Sequence, residues 1–585
     1  MLKRQGVGNL TVFWILMISA LVVIGARVIA PFQVGKDQGS QLEAAIHLAD
    51  GKGLTTTAVA PSSYDITETP DAKYLTWWPP GFSLIVATFL AMGLPLLLTL
   101  KLIYASISLI GWIGWGIIIS HFVTDPVAFR GRTYPTHLAL AALLPVFFTL
   151  SWSGSDIILW AGIPFVFLAL VKQVRPDASY KSVVLAGLLF GLLYAIRYAS
   201  LFLALAALLI LLQVQFPNYG RSVKRFSVFL LSALVLIIPT YLYTKFYASG
   251  VSGITDHASV DSIIYTPGML IKWIFLKLPM TWNLVLGFPL LDQILLRINS
   301  YWLFYVTGIM SAAILLALPL ILIKSKNRTR HRFQDDMGLS LSLLLISLPV
   351  FLIVVDTIVR SGLLGIRRYY DPVVFCGVLI FYQLATSRMT WQIVARASLC
   401  VVIAFLAYLC LYSPAQGFTK ERNGLLVRTV LGYLPPNNTR YNATSYNVSY
   451  PSYTMFSSRE SSKQKMKELY KADPDAIFFV EEYGYFAYDC FSNGDPTPGT
   501  RVRVLPNRDY WNQAYTPRPV KVYLVVNQKT DLDFLRGNDR QLIFSDPIEK
   551  TKILGAQLLP GHKLIADQTA PPLEVEGWTL SVDTN

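Results

Sequence analysis

Tyr74-Leu75-Thr76-Trp77-Trp78-Pro79-Pro80-Gly81-Phe82 closes a polar stretch, residues 34–82, that is caught between two apolar runs. The run in front, 10–30, is about 20 residues long and can cross a bilayer, while 81–98 behind it carries no charge. The stretch therefore reads as a folded loop pinned between membrane helices. Within it, 38–50 has helical periodicity: Leu42, Ala45, Ile46 and Ala49 share one face, and Glu43, His47 and Asp50 share the other. The expectation is a helix lying on the membrane surface, with Asp37 as its N-cap and Gly51 and Gly53 as a left-handed C-terminal cap. Asp37 has two compatible roles. It can cap the helix, worth about 1 kcal/mol, and it is also a carboxylate fixed beside the membrane, placed to work on a lipid-borne substrate.

The 585 residues are 54% hydrophobic, 13% aromatic and only 15% charged, and the apolar runs are too long for soluble helices, so the class is a polytopic α-helical membrane protein. Further runs fall at 102–120, 136–150, 157–171, 182–196, 198–216, 226–246, 301–323, 337–359, 372–387 and 389–412, giving about 11–13 membrane helices. Lys272 and Lys277 interrupt 267–291, which reads as an interfacial helix. Residues 1–413 hold 30 basic and 16 acidic residues, +14 of the total +15. These cations sit in short loops between apolar runs, which makes them orientation signals and lipid-phosphate contacts rather than a nucleic-acid surface.

Placing the basic loops 130–132, 172–181, 221–225 and 324–332 in the cytoplasm leaves an external set. It comprises the Asp37 loop, 151–156, the turn at Arg197, 247–300, 365–371 and the tail. In that scheme 81–98 and 102–120 cannot both cross; one must be tilted, re-entrant or interfacial. The first run is an uncleaved helix, since Pro31 follows the one cleavage point. The tail, 414–585, reads as a small soluble α/β domain with strands at 476–481, 501–505, 520–526 and 541–544 and a helix at 459–471. Its Asn-X-Ser/Thr triplets at Asn442 and Asn447 are glycosylation acceptors only in a eukaryote. The tail's single cysteine, Cys490, leaves it without an internal disulfide.

Three charged features fall on the external side. Asp156 lies in a very short loop before an apolar helix, where it is an N-cap or a functional carboxylate. Arg197 is the sole charge between Lys181 and Arg221; it sits at a turn or a polar cavity, or snorkels to the interface. Arg367-Arg368-Tyr369-Tyr370-Asp371 puts paired guanidinium groups on the side that the positive-inside rule disfavours, which an anionic ligand such as phosphate explains. Carboxylates, arginines and a lipid-facing cavity are what a sugar linked to a lipid phosphate requires: the carboxylate accepts the acceptor's proton and the arginines stabilise the departing phosphate. A lipid or polysaccharide transporter needs the same arginines and no catalytic carboxylate. A membrane-anchored assembly protein would place its function in the tail.

The first helix, the external loop beginning Asp37-Gln38-Gly39-Ser40-Gln41-Leu42-Glu43, and Trp77-Trp78-Pro79-Pro80-Gly81-Phe82 together resemble the GT-C superfamily of membrane glycosyltransferases. Within it the chain is similar to the protein O-mannosyltransferase and lipid A aminoarabinose transferase group. That resemblance implies an inverting transfer from a polyprenyl-phosphate sugar to a lipid, glycan or protein acceptor outside the cytoplasmic membrane. It implies a catalytic acid at Asp37 and a donor-binding pair at Arg368-Tyr369, with Asp156 at the acidic position some members carry in the second external loop. Many members have Asp-Glu where this chain has Asp37-Gln38, so the second carboxylate falls to Asp156, Glu68 or Asp71. Arg367 and Arg197 complete the expected phosphate site. No Cys/His cluster has metal-ligand spacing, and a divalent metal is left open.

Overall fold

The computed structural model describes residues 33–34, 36–56, 63–68, 73–76, 78–123, 154–174, 178–215, 219–247, 332–359, 453–454, 460–480, 502–505, 513–527, 541–546 and 551–558, with single positions besides. In chain order these form β1 (Gln33–Val34), α1 (Lys36–Ala49), β2 (Thr55–Thr56), β3 (Lys73–Tyr74), α2 (Gly81–Ala91), α3 (Leu96–Val123), α4 (Ser155–Val171), α5 (Tyr180–Ile196), α6 (Phe202–Gln215), α7 (Tyr219–Tyr247) and α8 (Arg332–Val359). There follow β4 (Tyr453–Thr454), α9 (Glu460–Ala472), β5 (Ile477–Val480), β6 (Val502–Val504), β7 (Val520–Asn527), β8 (Gln541–Asp546) and β9 (Thr551–Leu558). The helices expected at 136–150, 267–291, 301–323, 372–387 and 389–412 lie outside the described residues save for single positions, as do Asn442 and Asn447.

The apolar run 81–98 is not one helix. α2 ends because Gly93 takes φ +84°, and the amides of Gly93 and Leu94 turn back to the carbonyls of Leu90 and Phe89 at 2.8 and 3.2 Å. Pro95 then prevents the helix from resuming until Leu96. With 11 residues, α2 spans about 16 Å at 1.5 Å per residue, roughly half a hydrocarbon core. α3 has 28 residues. The two described helices long and apolar enough to cross a membrane are Leu98–Ile119, within α3, and Tyr219–Tyr247, which is α7. Of the two runs in conflict, 81–98 is the one that stops short.

Contacts divide the chain into two units, the first being Met1–Arg27, Thr76–Gly81 and Ile103–Tyr412. Its core contact is α5 against α7. Gly187 and Gly191, four residues apart, bring the two backbones together: a Cβ on Gly187 would lie 2.3 Å from the Phe229 carbonyl oxygen, and one on Gly191 2.6 Å from that of Ala233. Phe190 stacks on Phe229 with ring centroids 5.3 Å apart. α4 packs on α5, where Gly162 makes room for Leu193. α6 packs on α8, where Ser340 Oγ donates to Gln213 Oε1 at 3.0 Å.

The outward faces of these helices are apolar. Leu185, Leu188 and Leu192 on α5 and Leu231, Leu234, Val235, Ile238 and Leu242 on α7 are exposed at helical spacing, a surface that lipid solvates and water does not. The two ends of α7 differ. At its start, buried Arg225 donates to the carbonyls of Gln173 and Ala178 at 3.3 and 3.0 Å, with exposed Arg221 and Lys224 beside it in sequence. At its finish, Tyr241, Phe246 and Tyr247 are exposed, an aromatic rim of the kind that marks a membrane interface.

The second unit is Val28–Leu75, Phe82–Leu102 and Ser413–Asn585. Its five-stranded sheet has the order β6-β5-β7-β9-β8, with β5 parallel to β6 and β7, and β9 antiparallel to β7 and β8. Alternate residues feed two cores: Ile477, Phe479, Val522 and Leu524 on one face, Phe478, Val480, Tyr523 and Val525 on the other. α9 lies against β8 and β9 and adds Met466 to the second core. The expected tail strands and helix fall on β5 to β8 and α9, and β9 is additional.

By sequence, the external loop, 31–79, falls in a transmembrane domain 1–413 and the tail, 414–585, in a soluble domain; the described parts of the loop make their contacts with the tail. β1 pairs antiparallel with β4, placing Gln33 opposite Thr454 and Val34 opposite Tyr453. Ile66 lies in the sheet's first core. The Ile66 amide donates to the Tyr515 carbonyl at 3.0 Å, and the Tyr515 amide to the Tyr64 carbonyl at 2.8 Å. Arg503 of β6, 2% exposed, donates to the Glu68 carbonyl. The loop's apolar and backbone groups find their partners in the tail, so the two fold as one unit through Leu75, and only Thr76–Gly81 goes with the helices.

Candidate functional site

In the second unit, α1 begins at Lys36, so Asp37 stands within its first turn rather than ahead of it. That turn exposes unpaired amides and the positive end of the helix dipole, both of which favour a carboxylate. At the other end Gly51 and Gly53 take φ +77° and +78°, and the amides of Gly51 and Lys52 return to the carbonyls of Leu48 and His47 at 3.1 and 2.8 Å. The glycine cap is as read from the sequence, but the surface helix is not. Ser40, Gln41, Leu42, Glu43, Ala44 and Ala45 are all buried, on every side of the helix. The polar face was misjudged because its partners are distant in sequence: the Thr56 hydroxyl donates to the Glu43 carboxylate, and Ser83 Oγ donates to the Gln41 carbonyl at 2.7 Å. His47 Nδ1 lies 3.1 Å from Thr55 Oγ1. Glu43 is a buried carboxylate that periodicity assigned to solvent.

In the first unit, the chain reverses direction between α5 and α6 at Arg197, which has extended backbone (φ −155°, ψ 121°) as the C-cap of α5. Its guanidinium is turned to the start of α4. Nη1 donates to Ser155 Oγ at 3.0 Å, and Nη2 lies 2.6 Å from Asp156 Oδ1, an ion-pair contact off the hydrogen-bonding direction. The side chains are 4% and 13% exposed. Arg197 is therefore at a turn and does not snorkel. The N-cap reading of Asp156 is also corrected: the cap of α4 is Gly154 (φ 64°, ψ −137°), with no side-chain capping bond, and its amide donates to the Tyr104 hydroxyl. Asp156 sits in the first turn, free of capping duty, and pairs with Arg197.

The tryptophan-proline stretch completes this cluster. Trp78 lays its ring under the Arg197 guanidinium, 5.6 Å from centroid to Cζ. Gly81 is pressed to the end of α5, where a Cβ would be 2.5 Å from the Ala195 carbonyl oxygen. Tyr198 Oη lies 3.3 Å from the Thr76 carbonyl, to which it can donate, and 2.8 Å from Thr244 Oγ1 on α7. The cluster thus gathers Thr76, Trp78, Ser155, Asp156, Arg197, Tyr198 and Thr244 where α4 begins and α5 and α7 end. Arg225, Gln173 and Ala178 join the opposite ends of those helices. A buried ion pair costs several kcal/mol per ion in desolvation and is weak evidence of stability. Ionisable groups inside a membrane bundle are rare because they are costly, and are kept where they pair with one another.

Asp37 and Glu68 lie in the second unit, Asp156 and Arg197 in the first. Glu68 has an exposed side chain and a carbonyl engaged by Arg503. Asp71, Arg367, Arg368 and Tyr369 lie outside the described residues. Among the described residues no group of three or more His, Cys, Asp and Glu side chains could hold a metal ion.

Neither a protein-family model nor a curated protein matches the chain. Solved structures do. ArnT from Cupriavidus metallidurans bound to undecaprenyl phosphate aligns over 95% of this chain and 99% of its own at 13% identity and a TM-score of 0.47. The Archaeoglobus fulgidus oligosaccharyltransferase in complex with Zn and sulfate aligns over 88% of this chain and 68% of its own at 14% identity and a TM-score of 0.38. The same organism's AglB, in complex with an inhibitory peptide and a dolichol-phosphate, aligns over 89% and 70% at 13% identity and a TM-score of 0.36. TM-scores below 0.5 leave the reaction to be argued from this chain's own residues.

Proposed function

We propose that this chain is a multi-pass glycosyltransferase of the cytoplasmic membrane that works on the outer face, moving a sugar from a polyprenyl-phosphate donor to a lipid, glycan or protein acceptor. The observation that carries the reading is the buried Asp156–Arg197 pair, its guanidinium stacked on Trp78, at the bundle end opposite Arg225 and the basic loops. By the positive-inside rule the Arg225 end is cytoplasmic, which puts the pair and the Thr76–Gly81 stretch outside. Asp37 is the general base for the acceptor hydroxyl. Arg368, with Tyr369, grips the donor phosphate, and Arg367 and Arg197 add positive charge as the phosphate departs. Asp156 holds Arg197 in place rather than reacting itself.

The test is purified protein offered a panel of polyprenyl-phosphate sugars, scoring release of the lipid phosphate. Asp37→Asn should abolish transfer while keeping donor affinity and fold, because asparagine suits a helix start but accepts no proton. Wild-type turnover by Asp37→Asn would leave Asp37 with a helix-end role only.

A further inference from the structure

We infer that Arg503 and the β4 strand are positioning elements for the Asp37 helix, so that the C-terminal domain takes part in the transfer step; this rests on the reading of Asp37 as the base. The stretch carrying Asp37 is held to the tail at two places that bracket it. Ahead of it, β1 ends at Val34, three residues before Asp37, and is paired with Tyr453–Thr454. Behind it, Ile66 is packed among Ile477, Phe479, Val522 and Leu524, Asp65 bridges to Tyr515, and Arg503 grips the Glu68 carbonyl.

Between these anchors the chain is stiffened locally. α1 is locked to β2 by Glu43 and Thr56, and β2 to β3 by the pairing of Thr55 with Tyr74 and Thr56 with Lys73. A displacement at either anchor therefore acts on a stretch whose helix, β2 and β3 are tied to one another. Arg503 is a costly residue for a purely structural strand: it is 2% exposed and donates to a backbone carbonyl 435 residues away in sequence. A misplacement of about 1 Å at a catalytic group can cost a hundredfold in rate. Holding the stretch to β4 on one side and to the five-stranded sheet on the other guards against one.

The experiment uses the full-length protein in detergent with its four native cysteines replaced. Arg503→Lys keeps the charge and loses the fork. In Arg503→Lys the peptides covering 33–49 should exchange amide hydrogen for deuterium faster, while those covering 180–215 are unchanged. Transfer from the undecaprenyl-phosphate sugar panel should lose roughly tenfold to a hundredfold in kcat, with KM for the donor within about twofold. The rescue is a disulfide between Val34→Cys and Tyr453→Cys, opposite residues of an antiparallel pair whose Cα spacing suits the bond. Oxidation should restore both exchange protection and kcat to the Arg503→Lys protein, and reduction should remove them. Unchanged exchange at 33–49, failure of the disulfide to form, or a disulfide that forms without restoring the rate would each overturn the inference. Exchange that responds as expected in a protein with no transfer from any donor would retain the mechanical coupling and reject the glycosyltransferase reading instead.

Discussion

At Arg197 the chain buries a guanidinium where α5 ends and α4 begins, with Asp156 Oδ1 2.6 Å from it. Removing one member of such a pair leaves a buried charge uncompensated, a loss of about 3–5 kcal/mol, whereas replacing both with apolar residues of similar volume is near neutral. Asp156→Ala should therefore lower the thermal midpoint sharply. The double variant Asp156→Leu, Arg197→Met should recover that stability and remain inactive in the transfer assay. Thermal unfolding in detergent and the transfer rate, measured on the same preparations, decide it: a double variant that transfers at the wild-type rate would make the pair structural only. Arg197 was legible as a lone charge in an apolar stretch, and Asp156 as an acid at a helix start. Their pairing was not, because no local pattern links positions on two helices 41 residues apart. Glu43 was hidden for the same reason. A 3.6-residue period assigns it to the polar face, and only the fold shows that Thr56 is there to receive it.

Among the elements, α5 and α7 depend on the absence of side chains at Gly187 and Gly191. Gly187→Ala would put a methyl group 2.3 Å from the Phe229 carbonyl oxygen, so the helices must part, at a cost of about 1–3 kcal/mol. Gly116→Ala on α3 meets nothing within 4 Å and should be neutral or slightly stabilising. Thermal midpoints of the two variants in one detergent test this, and equal midpoints would show that the α5–α7 contact is loose. The small residues four apart were visible in the sequence as a packing motif, a signal that reading for hydropathy passes over. The break at Gly93-Leu94-Pro95 was visible too. Hydropathy averages across it, since leucines and methionine surround it, whereas the stop is written in backbone conformation. The tail strands were readable because each is a short β-branched or aromatic run between turn residues. β9, Thr-Lys-Ile-Leu-Gly-Ala-Gln-Leu, has the mixed composition of a strand whose character comes from its neighbours β7 and β8.

For the molecule as a whole, the orientation argued from Arg225, Arg221 and Lys224 at one end of α7 and the aromatic rim at the other is open to direct measurement. Cysteines introduced one at a time into 324–332 should be shielded from an impermeant thiol reagent in intact cells, and cysteines introduced into the tail should be labelled. Labelling of 324–332 would reverse the scheme and carry Asp156 and Arg197 to the cytoplasm. The pairing of β1 with β4 has one further consequence, which concerns time rather than geometry. Gln33 meets Thr454 only after 421 more residues have been made. At roughly 5–20 residues per second the ribosome needs about 20 to 80 seconds to supply them. For that interval the nascent loop has been delivered without the strand, the apolar core or the arginine that hold it, so the packing that fixes α1 is completed only after most of the chain has been made.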